Sequence, residues 1–113
     1  MLEDLDQRGL LEETLVCWVA EFGHTPKINA RAGRDHWGRV FSIALAGAGI
    51  RGGVVHGKSD KHAAEPLGDA VRPCDYHATV FHLLGYHPDT EFHDIEGRPL
   101  PLTRGQVIES ILA

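Results

Sequence analysis

The chain has 113 residues, 42% hydrophobic and 24% charged, with a net charge of −5 when its eight histidines are neutral. That length limits it to one domain, and the composition is that of a folding chain rather than a disordered one. The acidic balance speaks against nucleic acid as a partner, and no apolar run approaches the ~20 residues of a membrane span.

Residues 2–11 set Leu2, Leu5, Leu10 and Leu11 among acids at helical spacings, which predicts an amphipathic helix that stops near Gly9. The run TLVCWVA at 14–20 is short, nearly continuous in apolar residues and rich in β-formers; it predicts a buried parallel strand with Cys17 inside it. A helix followed by a buried strand is the second half of a βαβ unit. Its first strand is not in the sequence, so the chain reads as truncated. Residues 21–39 form a long polar connection punctuated by Gly23, Pro26, Gly33 and Gly38. VFSIALA at 40–46 predicts a second buried strand, GAGIRGG a glycine turn, and VVHG at 54–57 a short third strand. The spacing of Gly47, Gly49 and Gly52 matches G-x-G-x-x-G, but no helix follows to hold a pyrophosphate, so the glycines read as a tight reversal. DYHATVFHLLG predicts a helix over 75–84, capped by Asp75 and ended by Gly85, with Cys74 at its start. A final helix is expected over GQVIESILA, with Thr103 as its N-cap.

Buried strands alternating with helices indicate an α/β fold with a mainly parallel sheet and flanking helices, incomplete in this chain. In open sheets of this kind ligands bind beyond the carboxyl ends of strands. Glu21 stands at that position after the first strand, His24 follows, and Asp35 and His36 close the loop before the next strand. Carboxylates with imidazoles suit a divalent transition metal such as zinc. Asp60 and His62, with Lys58 and Lys61, form a second polar loop that reads first as solvated surface and only then as a site for a metal or an anion. No nucleophile is evident. Ser42 lies in a strand, and Ser59 has no nucleophile elbow.

The combination of EFG-x-TP, GRDHW, the glycine turn and DYHATVFHLLG resembles the carboxy-terminal part of the bacterial domain-of-unknown-function 1501 family, over nearly the whole chain. Members of that family look like sulfatases of the alkaline phosphatase superfamily. The resemblance implies a partial alkaline phosphatase/sulfatase-like sandwich, with residues 1–113 as a single carboxy-terminal portion. It implies zinc or calcium at the strand ends, and a serine, threonine or formylglycine nucleophile in a preceding segment. Glu21 falls where the superfamily has a metal-binding acidic residue, with Phe22 in place of the second ligand. His36 matches a later metal-binding histidine, braced by Asp35. His24 stands where related sequences have arginine. The expected function is therefore part of the metal site of a sulfatase- or phosphatase-like hydrolase, inactive by itself, from an exported parent. Its substrate would be a small anionic ester or a carbohydrate. The alternative is a non-catalytic binding or structural module. Bare sheet edges also allow an oligomer.

Overall fold

A computed structural model describes all residues, Met1–Ala113. The chain forms two compact units, Met1–Ala70 together with Ala113, and Val71–Leu112.

In the first unit, α1 spans Leu2–Gln7. It ends where the Gly9 amide bonds to Asp6 O at 2.9 Å, with Gly9 in the left-handed region at φ +67°. Four strands follow: β1 (Val16–Trp18), β2 (Gly23–His24), β3 (His36–Trp37) and β4 (Ala44–Ala46). β1 pairs antiparallel with β4, Cys17 opposite Leu45, and β2 pairs antiparallel with β3. The junctions before β1 and after β4 are tied by the Ala48 amide to Leu11 O at 3.0 Å. Gly47, at φ +82°, approaches the Thr14 carbonyl so closely that a Cβ would lie 2.2 Å from its oxygen.

In the second unit, α2 spans Pro73–Leu83. Pro73 needs no amide partner in the first turn, and the Asp75 carboxylate reaches back to the Arg72 amide at 3.0 Å. The helix ends in a Schellman turn: the Gly85 amide bonds to His82 O and the Tyr86 amide to Phe81 O. The Phe81 and Tyr86 rings meet edge to face at 6.1 Å, the apolar contact that accompanies this cap. β5 (Glu91–His93) and β6 (Pro99–Pro101) form an antiparallel hairpin. Asp94 organises its turn, accepting the Glu96 and Arg98 amides and the Arg98 guanidinium. A 3-10 turn, Glu109–Ile111, closes the unit.

The mainly parallel α/β sandwich expected from the sequence is not what forms. Every strand pair is antiparallel, and each sheet has two strands. A parallel pairing of β1 with β4 needs a crossover helix between them. The intervening residues carry glycines and a proline but no helical period, so they fold back as a hairpin instead. The expected third strand at 54–57 and the final helix are also absent as such.

Nor is the expected burial of the strands found. No residue of the first unit is buried; Asp75, Ala78 and Thr79 of α2 are the buried residues of the chain. Around them the second unit is held by polar ties. The Thr79 hydroxyl donates to Asp75 O at 2.8 Å and accepts the Ile108 amide at 3.0 Å. The Thr103 hydroxyl donates to Cys74 O, and the Gln106 amide bonds to the Asp75 carboxylate at 2.9 Å. Gly105 lies against the same turn, where a Cβ would stand 2.0 Å from the Cys74 carbonyl oxygen. Thr103 is thus a strap onto α2 rather than an N-cap.

Candidate functional site

The long polar connection of the first unit is an ordered hairpin. The Thr25 amide bonds to Asp35 O at 2.9 Å, and the Asp35 amide bonds to the Thr25 hydroxyl at 3.1 Å. Asn29 holds the tip. Its Oδ1 accepts the Arg31 and Gly33 amides, and its Nδ2 donates to the Asp35 carboxylate at 3.1 Å. At the base, Gly23 passes under the Val40 carbonyl, with room for no side chain: a Cβ would be 2.1 Å from that oxygen.

This register sets His24 directly opposite His36. The bonded Thr25–Asp35 pair is one residue along, so the histidines occupy the alternate, closer-spaced position, with Cα atoms about 4.5 Å apart in such pairs. Both are exposed. The Phe22 ring lies 4.0 Å from the His36 ring, centroid to centroid and tilted by 31°, and 6.2 Å from the His24 ring. Three rings therefore cluster on the base of the hairpin.

The Asp60 loop is pinned to β3. Trp37 Nε1 donates to Ala64 O at 2.9 Å, Arg39 pairs with Glu65, and the Arg39 guanidinium sits 5.6 Å from the Trp37 ring centroid. The Asp60 carboxylate accepts the His62 and Ala64 amides at 3.1 and 2.8 Å, shaping the loop from within. The Ala64 amide, first among these contacts, draws the Asp60 pKa below its ordinary value.

The six residues singled out in the sequence thus separate by role. His24 and His36 are brought together. Asp35 braces the hairpin through Asn29, and Asp60 organises its own turn. His62 and Glu21 are exposed, and Glu21 makes no hydrogen bond or ion pair. No group of three or more His, Cys, Asp or Glu side chains is arranged to hold a metal ion.

Features the sequence reading missed are Phe22 as the ring against His36, and the Trp37–Arg39–Glu65 clamp. A third is an open cleft of about 380 Å³ in the second unit, where His82, Tyr86, His87, Val107 and Glu109 converge. Gly85 after an apolar helix was the available signal for the cleft, since a Schellman turn folds residues 86–88 back beside His82.

No helix is long and apolar enough to cross a membrane. No match was found among curated proteins or among solved structures. The family model described as "Protein of unknown function (DUF1501)" matches residues 1–112. The chain belongs to the DUF1501 family.

Proposed function

We propose that this chain is the carboxy-terminal part of a sulfatase-like, metal-dependent ester hydrolase, and that it contributes two imidazole donors, His24 and His36, to the metal centre. The observation behind this reading is the cross-strand register that sets the two histidines opposite each other. Paired imidazoles fit zinc or a similar transition ion; calcium prefers oxygen donors, which the pair does not offer. A catalytic zinc takes three protein ligands and an open position. Asp35, adjacent to His36, is held by Asn29, so Glu21, three residues before His24, is the carboxylate left to serve as a third. Once bound, the metal would polarise the ester of a small anionic substrate. The nucleophile, in this reading, comes from polypeptide beyond these 113 residues, so the chain alone has no hydrolytic turnover.

Zinc chloride titrated into the purified chain, followed by the imidazole NMR signals and by calorimetry, tests this. Zinc shifts the His24 and His36 signals together. Either His24→Ala or His36→Ala weakens binding by at least about tenfold, while His62→Ala leaves it unchanged. Zinc-insensitive His24 and His36 signals refute the reading.

A second reading, a non-catalytic binding module, is favoured by Phe22. Its ring lies over one face of His36 and supports an aromatic contact surface. Binding of a carbohydrate without zinc, lost in Phe22→Ala, distinguishes it.

A further inference from the structure

Phe22, immediately before β2, shares one face of the β2–β3 hairpin with His24 and His36. Side chains alternate along an extended chain, so Phe22 and His24, two residues apart, point the same way. His36 is opposite His24 and therefore diagonal to Phe22. Diagonal neighbours stand about 7–8 Å apart, within reach of aromatic side chains. The two ring contacts that result are unequal. Phe22 lies against His36 at 4.0 Å with a tilt of 31°, but meets His24 edge-on at 6.2 Å and 74°.

The backbone on both sides of this contact is held. Gly23, next to Phe22, passes under the Val40 carbonyl, where a Cβ would stand 2.1 Å from the oxygen. Trp37, next to His36, is anchored by its indole N–H to Ala64 O at 2.9 Å. With both strands fixed, side-chain packing decides where the His36 imidazole points. Neither His24 nor His36 makes a side-chain hydrogen bond. A ligating histidine is usually oriented by a bond from its other ring nitrogen to a carboxylate or a carbonyl. At His36 the Phe22 ring takes the place of that bond.

Orientation matters because a metal tolerates little error. Zinc–imidazole bonds are about 2.0–2.1 Å long, and both rings must reach one ion. An exposed side chain flips between rotamers on the picosecond to nanosecond scale. Stopping such a side chain on binding weakens affinity by about two- to tenfold. A ring already held by its neighbour has lost that freedom on folding, so the ion does not pay it again.

We infer that Phe22 is a positioning residue for the metal centre: it presets His36 as the fixed ligand and leaves His24 as the ligand that adjusts when the ion arrives. The inference rests on the proposed reading of the two histidines as metal donors. It gives them unequal roles, which their cross-strand register alone does not. It also gives the apolar side chain at position 22 a use in the site. Phe22 has no donor atom, and it serves the metal by packing rather than by ligation.

NMR and calorimetry on the full chain test it, first free of metal and then with zinc chloride. Without metal, the His36 ring signals should be moved upfield by the Phe22 ring, and the His36 Hα–Hβ couplings should report one rotamer. Those of His24 should be averaged. Phe22→Leu keeps an apolar side chain without the ring. It should average the His36 couplings and weaken zinc binding by about two- to tenfold, and Phe22→Tyr should restore both. The Thr25 and Asp35 amides, bonded across the hairpin, should keep their exchange protection in Phe22→Leu. Lost protection there makes Phe22 a mere support of the hairpin and overturns the inference. Equal zinc affinity in Phe22→Leu and the native chain overturns it too. So does rotamer averaging of His36 in the native chain, a result that needs no variant to fold. Zinc that moves neither histidine's signals in the native chain refutes the metal reading itself, and the positioning role falls with it.

Discussion

Replacing Asp75 with alanine removes one carboxylate that serves two segments of the second unit at once. It accepts the Arg72 amide at 3.0 Å, the Arg72 guanidinium at 3.1 and 3.0 Å, and the Gln106 amide at 2.9 Å. The guanidinium bonds count for little in the total, because the Arg72 side chain is 64% exposed and rehydrates when its partner is lost. Loss of the carboxylate at the start of α2 costs about 1 kcal/mol, as helix caps do. The stranded Gln106 amide, partly buried, costs roughly 1–2 kcal/mol more. The sum, roughly 2–3 kcal/mol, is a large fraction of the ~5–15 kcal/mol by which domains are stable. Urea unfolding followed by helical circular dichroism should show the lowered midpoint. Amide hydrogen exchange should show Gln106 losing protection. Asp89→Ala, at a side chain 91% exposed, is the control and leaves both unchanged. An Asp75→Ala chain with an unaltered midpoint and an unaltered Gln106 amide would refute the assignment of Asp75 as the tie between α2 and residues 103–108.

Gly105→Ala should destabilise the same unit by about 3 kcal/mol or more, since the added methyl meets backbone that cannot move aside; urea unfolding measures it. Stability should also fall in acid. The Arg72 side chain, the Gln106 amide and the Arg72 amide hold the Asp75 carboxyl well below the usual carboxylate range. The Arg98 amide and side chain lower Asp94 in the same direction. A lowered folded-state pKa adds stability that is complete above the unfolded value, about 4, and is lost as the pH falls through the folded value. Unfolding midpoints should therefore be flat above about pH 4 and decline below it, and Asp75→Asn should flatten that decline.

The sequence located helices better than it located their partners. α2 was legible because Gly85 and its apolar spacing mark a helix end, and Gly85 does take φ +88°. Its start lies earlier than expected, because Pro73 fills the first helical position and Asp75 acts from the third. The strand expected over 14–20 forms only at Val16–Trp18, and it is antiparallel and exposed rather than parallel and buried. A continuous apolar run has the same pattern whether a parallel sheet covers it or it stands open at an edge. The last helix shrinks to a single 3-10 turn for a local reason. The Gln106 and Ile108 amides are already bonded to Asp75 and Thr79, which fixes the backbone where the helix would start. In the candidate site, His24 and His36 were both named, but their apposition was not legible. It depends on the Thr25–Asp35 bonds and the Asn29 tip, which convert a polar loop without β-formers into a hairpin. Asp35 bonds to Asn29 at the hairpin tip.

The two tryptophans, Trp18 of β1 and Trp37 of β3, have different surroundings. Trp18 is 78% exposed, whereas the Trp37 indole N–H is bonded to the Ala64 carbonyl. Their fluorescence should therefore report on separate events. Emission from Trp18 should be quenched by iodide, and protection from that quenching would signal coverage of β1. Trp37 responds when residues 59–66 detach from β3. Single Trp→Phe variants thus turn the chain into two optical gauges, one of β1 coverage and one of loop release.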